Sequence, residues 1–254
     1  MRKLVTNELA ASRGKVKSLM VFFTLIVVTL AQWNGARLML ESVYTNFITH
    51  FTHHIEYRQL EHVRIGANLT YLESIFGAAQ LIKTSSTDPS LTYRYYHSNK
   101  FLLTLGVKED SIEGFQLVSL RPSFQPTFTL SDLRLNDTSF SQQYPYGNEF
   151  VSDTGNLRFY LEAHQLGRVG LFMNLYPAYV SYGASKAENP ANRYAQHLDD
   201  LNHAYLLGED EEMARHQADF RLHATPNTYS FGRISLETAA DMLLTNYEFR
   251  AYFE

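Results

Sequence analysis

The sequence predicts an α+β protein: an N-terminal transmembrane helix continuing as a juxtamembrane helix, then short helices packed on an antiparallel β-meander, and a helical C-terminal segment. Three patterns carry this: an uncharged apolar run at residues 19–33, period-two alternation between residues 91 and 120, and three-to-four periodicity from Pro190 onward. Seventeen Tyr and seventeen Phe against one Trp give a strand-friendly aromatic content. The absence of cysteine excludes disulfides, thiolate metal sites, a thiol nucleophile and a lipidated N-terminal cysteine.

Charge is distributed unevenly. Arg2, Lys3, Arg13, Lys15 and Lys17 precede the apolar run against Glu8 alone; taking these from the totals of 22 basic and 26 acidic residues leaves 17 and 25, a net of −8. A nucleic-acid binder concentrates positive charge on its folded part, so nucleic acid is not an expected partner.

Residues 19–33 read LMVFFTLIVVTLAQW. These fifteen residues fall short of the roughly twenty needed to span a hydrocarbon core. Arg37 can snorkel, and Leu38, Met39 and Leu40 extend the run, with Trp33 placed as an interfacial aromatic. The preceding basic flank puts the N-terminus in the cytoplasm and everything beyond outside. A cleaved signal peptide is the rival reading, with Thr29-Leu30-Ala31 as cleavage triplet. An eighteen-residue leader and an amphipathic pattern that resumes at once favour an uncleaved anchor in a bacterial inner membrane.

From Arg37 to Arg64, Leu40, Val43, Tyr44, Phe47, Ile48, Phe51, Ile55 and Leu60 form an apolar helical stripe. His50, His53 and His54 lie at i, i+3 and i+4 and are the candidate metal ligands of this stretch. Glu61-His62 lies two turns further on, but a solvated histidine face is the preferred reading, because neither an HExxH pattern nor a remote carboxylate-His partner is evident. No metal or other cofactor is expected.

Asn68 can cap a short helix through Leu69, Leu72, Ile75 and Phe76, which Gly77 would end. Strands follow at 91–97, Phe101–Lys108 and 112–120, separated by turns at Ser98-Asn99-Lys100 and around Glu109-Asp110. The stretch RIGANLTYLESIFGAAQLIK, then LTYRYYHSNKFLLTLGVKEDSIEGFQLVSL, resembles the small αα-βββ domain of the SmpA/OmlA (BamE-type) outer-membrane assembly lipoproteins over about residues 61–120. The resemblance implies short helices under an aromatic hairpin. The chain departs from that family in lacking the lipidated cysteine and in having Ala78 where a proline commonly follows the corner glycine. The whole chain is similar to single-span enterobacterial-type envelope proteins, which implies no activity.

Beyond Pro122, residues 133–140 are expected to open a second small helix, 157–163 and 169–173 to form strands, and 176–183 an aromatic loop or edge strand. Pro190 to Leu207 is a predicted helix, and the acids Glu209 to Glu212 suit the first turn of the next, running to about Leu222. Thr225-Pro226-Asn227-Thr228 reads as a break, and Ser235 as the cap of a final helix. No internal repeat is visible. Segment boundaries follow: basic tail 1–18, anchor 19–40, juxtamembrane helix 41–62, α+β unit 63–122, β-rich region 123–187, helical region 188–254.

No GxSxG elbow, P-loop or GxGxxG turn is present, and no catalytic residue is assigned. His164 and Glu162 share a strand face and invite comparison with a general base, but a structural hydrogen bond is the ordinary role of such a pair. Tyr144, Tyr146, Tyr176, Tyr179 and Tyr182 are candidates for an aromatic contact surface, with β core and rim as their ordinary role. The expected function is a non-enzymatic, membrane-anchored envelope protein that binds another envelope protein. A membrane-tethered hydrolase and a pH- or metal-responsive sensor subunit are the alternatives.

Overall fold

The computed structural model describes residues 53–184 and 190–254, apart from 129, 131, 132, 146 and 148. The apolar run at 19–33, His50 and Tyr146 therefore lie outside the described residues. Within them, no helix is long and apolar enough to cross a membrane.

The protein is an α+β fold built on one antiparallel sheet. Strands β1 (Leu81–Thr84), β2 (Thr92–His97), β3 (Phe101–Lys108), β4 (Ser111–Ser119), β5 (Glu149–Asp153), β6 (Phe159–Gln165), β7 (Asn174–Val180) and β8 (Thr228–Gly232) assemble in the order β1-β2-β3-β4-β8-β7-β6-β5. Two meanders, β1–β4 and β5–β8, thus meet through the antiparallel β4–β8 pair. That pair is centred on Gln116↔Ser230, with Gly114↔Gly232 and Val118↔Thr228 equally far on either side. Each meander is preceded by a short capped helix: α2 (Leu69–Phe76), and α3 (Phe140–Gln143) with a capping box at Ser139. A further helix, α1 (His54–Leu60), precedes α2.

This topological repetition is a correction, because no repeat shows in the residues. The β3–β4 hairpin turns in two residues, Glu109 and Asp110, both at positive φ as a primed turn requires. The equivalent β7–β8 connection instead carries two helices, α4 (Pro190–Leu207) and α5 (Asp210–His223). The resemblance to a small αα-βββ lipoprotein domain is also corrected. The meander that carried it is not a closed unit but half of an eight-stranded sheet, whose β4 is paired on both edges.

Both faces of the sheet are covered, so β3 is buried along nearly its whole length. Phe101, Leu103 and Leu105 join Leu69 and Leu72 of α2 in one cluster. Phe140, Tyr160, Tyr179, Tyr194, Leu198, Leu201 and Phe220 form another beneath α4 and α5. On β7, Leu175 belongs to the first and Tyr179 to the second, so by strand alternation these two share a face. The opposite face packs Leu102, Val118, Leu161 and Tyr176 against α6 (Leu236–Asp241) and α7 (Asn246–Phe253), whose caps are Ser235 and Thr245.

The tyrosines fasten this opposite face. Tyr95 donates its hydroxyl to the carbonyl of Met242 (3.2 Å) and Tyr176 to that of Ile234 (2.5 Å). The Tyr182 hydroxyl accepts from the Leu244 N–H (3.2 Å), and Tyr93 donates to Asp241 (2.8 Å). Burial raises the pKa of all four phenols, so each stays neutral. Asp241 also accepts from the Ser85 hydroxyl and from the Ser86 N–H and hydroxyl, which ties α6 to the β1–β2 loop.

Two local expectations fail. Residues 169–173 are not a strand: Leu171 and Phe172 take left-handed φ of 53° and 61°, closing a turn between β6 and β7. The aromatic loop or edge strand expected at 176–183 is largely strand β7, but an interior one, lying between β6 and β8. Pro177 concealed it, since proline has no N–H for a ladder. Pairing with β6 is interrupted around that residue, between the Leu161↔Ala178 and His164↔Leu175 pairs.

Candidate functional site

The chemically richest cluster sits on β6, beneath α5. Tyr160, Glu162 and His164 alternate onto the face that α5 covers, and Phe220 and Arg221 of that helix are buried against it. The Arg221 guanidinium donates to Glu162 Oε2, which His164 Nε2 also contacts at 3.1 Å. The Tyr160 hydroxyl donates to Glu162 Oε1 and accepts from Gln217 Nε2 at 2.8 Å. The second guanidinium arm donates to the Tyr144 carbonyl at 2.7 Å, and the Tyr144 ring lies 4.7 Å from the His164 ring.

Glu162 is fully buried. Burial pushes its carboxyl up, but the bonds from His164, Arg221 and Tyr160 outweigh that and hold it below its ordinary value of 4.5. A general base must reach a substrate proton. Both oxygens of Glu162 are engaged, and neither faces solvent. The pair that invites comparison with a general base is therefore a structural tie, joining β6 to α5 and to the chain at Tyr144.

A pH dependence follows. Asp241 is likewise held low: burial raises it, and its bonds from Ser86, Tyr93 and Ser85 more than offset that. A carboxylate whose folded pKa lies below its unfolded one contributes stability that is full above the unfolded value and lost as pH falls through the folded one. Thermal midpoints are expected to hold above about pH 5 and to fall steadily below about pH 4, as these two groups become protonated. In the variant Asp241→Asn the acid fall should be shallower. An equally steep fall in that variant would contradict the assignment.

The other sequence candidates scatter. His53 is half-buried and His54 exposed at the start of the described chain. Tyr176 and Tyr179 are buried on opposite faces of the sheet, Tyr182 stacks on Phe249 with ring centroids 4.6 Å apart, and Tyr144 packs beside His164. These four do not form an exposed patch: their rings pack against other side chains, and the hydroxyls of Tyr176 and Tyr182 bond to the backbone at Ile234 and Leu244. A cavity of about 460 Å³ opens beside α2, lined by His62, Arg64, Ile65, Gly66, Ala67 and Tyr71; none of these is a carboxylate. His62 is already bonded to the Tyr71 hydroxyl at 2.8 Å.

Two features escaped the sequence. Arg221 reads as one more charge on a polar helix until the fold sets it over Glu162. Val169, Leu171 and Phe172 read as strand, yet the structure leaves them 70%, 75% and 78% exposed. The turn that holds them is closed by backbone hydrogen bonds, with Phe172 N–H bonded to the Gly167 carbonyl at 2.7 Å and Met173 N–H to that of Gly170 at 2.9 Å. Leu166 and Met173, at its two ends, pack against the core.

No protein-family profile matches the chain, and no curated protein matches it. Among solved structures, the chain is similar to a cysteine-rich secretory protein from Staphylococcus aureus at 12% identity with a TM-score of 0.22. The match covers 61% of this chain and 61% of that one, less than two thirds of either. At that score the likeness assigns neither fold nor role, and this chain has no cysteine.

Proposed function

We propose that the chain is a membrane-anchored envelope protein whose α+β domain faces outward from the inner membrane and binds another envelope protein without catalysis. The anchor is the apolar run at 19–33, oriented by the five basic residues before it. The observation that carries the binding role is the turn holding Val169, Leu171 and Phe172.

Three large apolar side chains, each more than two thirds exposed and set in one hydrogen-bonded turn, are what an interface core is made of. Leu171 and Phe172 also occupy left-handed backbone, which costs a bulky L-residue about 1–2 kcal/mol. A folded chain keeps such strain where the displayed side chains serve a purpose. The titratable groups of the β6 cluster, by contrast, are consumed in holding the fold together.

The test uses the conflict between strain and display. Replacing Leu171 and Phe172 by asparagine, which tolerates left-handed backbone, is expected to raise stability by about 1 kcal/mol in urea unfolding. The same variant should lose the partner recovered when the intact protein is captured from detergent-solubilised membranes. Equal recovery by variant and wild type, or wild type recovered alone under mild conditions, would refute the proposal.

A further inference from the structure

A second cluster spans the α4–α5 hairpin. Asp219 and His223, one helical turn apart on α5, meet His197 of α4 with their ligand atoms all within 4.8 Å of one another. His197 Nδ1 lies 2.8 Å from Asp219 Oδ2, and His223 Nδ1 lies 3.3 Å from Asp219 Oδ1. The two imidazole planes are within 4° of parallel, with centroids 5.5 Å apart. We propose that His197, Asp219 and His223 form a binding site for a divalent transition-metal ion of the zinc class. Each supplies one ligand atom, and solvent takes the remaining position. The site does not depend on the binding role proposed above.

The donor set suits the ion. Two borderline imidazole nitrogens beside a single hard carboxylate oxygen favour zinc and its neighbours over calcium or magnesium, which prefer all-oxygen ligands. With bonds of about 2.0–2.1 Å in tetrahedral geometry, ligand atoms stand roughly 3.3 Å apart. The two short separations run to different oxygens of Asp219, 3.3 Å from His223 Nδ1 to Oδ1 and 2.8 Å from His197 Nδ1 to Oδ2, so the carboxylate must turn to offer one oxygen to both; one ligand atom from each residue already lies within 4.8 Å of the others. For ligation each neutral ring carries its proton on Nε2 and turns the Nδ1 lone pair to the ion. His223 then exchanges the 2.9 Å contact its Nδ1 makes with the Asp219 carbonyl.

The helix end bearing the two α5 ligands is fixed before any ion arrives. Phe220, next to Asp219, is fully buried in the cluster beneath α4. Arg221 is clamped on Glu162, and the Tyr194 hydroxyl of α4 donates to the His223 carbonyl at 3.1 Å. Leu198, beside His197, is fully buried in that same cluster. The three ligand side chains themselves keep 21%, 43% and 33% exposure, so an ion has a route in from solvent.

The test is zinc titration of the purified full-length chain in detergent, followed by calorimetry, with cobalt(II) as a visible-absorption probe. One ion per chain is expected, with a dissociation constant on the order of micromolar or tighter. Asp219→Asn and His197→Ala should each weaken binding by at least about tenfold. The wild-type thermal midpoint should rise on zinc addition, and that of His197→Ala should not. His203→Ala, which removes an exposed histidine of α4 outside the triad, should bind as the wild type does. Absence of zinc binding would overturn the site and leave the triad a hydrogen-bonded bridge. Binding that survives both Asp219→Asn and His197→Ala would overturn it equally. Asp219→Asn preserves shape, so it reports even if His197→Ala fails to fold.

Discussion

Replacing Arg221 by methionine is expected to lower folding stability by about 3–5 kcal/mol, measured by urea unfolding. The change strands Glu162, fully buried, without its cation, and it leaves the Tyr144 carbonyl without the guanidinium donor. Exposed ion pairs set the contrast. Arg215 and Glu212 also bond, but with side chains 66% and 47% exposed, and the same replacement at Arg215 should cost less than about 1 kcal/mol. The double variant Glu162→Gln with Arg221→Met removes the stranded charge and should recover part of the loss. Additive losses in the double variant would show that Glu162 and Arg221 do not act as a unit.

Gly232→Ala is expected to cost about 2–4 kcal/mol, because strain and overlap act at the same point. Gly232 has φ of 149°, and a Cβ there would lie 2.3 Å from the Glu113 carbonyl oxygen and 2.5 Å from Gly114 Cα. Both are backbone atoms of β4, at the seam where the two meanders join, so neither can swing aside as a side-chain end would. Gly66→Ala is the control. Its φ of 81° carries conformational strain, but nothing lies within 4 Å of the added methyl, so about 1–2 kcal/mol is expected. Equal losses at the two positions would remove the close β4–β8 approach from the explanation.

Much of the first meander is legible in the residues. Period-two alternation and the Glu109-Asp110 turn place β3 at its observed limits, and Asn68 and Gly77 bracket α2 as cap and terminator. Helices α4 and α5 are equally plain from their periodicity and from the acids that open the second. The second meander hides for physical reasons. Pro177 argues against a central strand, and β8 follows directly on a Pro-Asn pair that reads as a break. The edge strands β1 and β5, at four and five residues, offer too few turns of the pattern to register.

The chemistry divides the same way. The pairing of Glu162 with His164 is legible because strand neighbours two apart share a face. Arg221, fifty-nine residues further on, needs the tertiary fold. Asp219 and His223 show a helical i, i+4 spacing, but His197 joins them only once the α4–α5 hairpin closes. The tyrosines mislead in the opposite sense. Composition alone does not tell a displayed aromatic from one whose ring is core and whose hydroxyl holds a helix.

The placement of the chain underlies the functional account, and protease treatment of intact spheroplasts tests it most directly. With epitope tags at both ends, the account predicts digestion of residues beyond 40 while the basic tail at 1–18 stays protected until the membrane is opened. Residues beyond 40 that survive until lysis, or a mature protein recovered free in the soluble fraction, would contradict it.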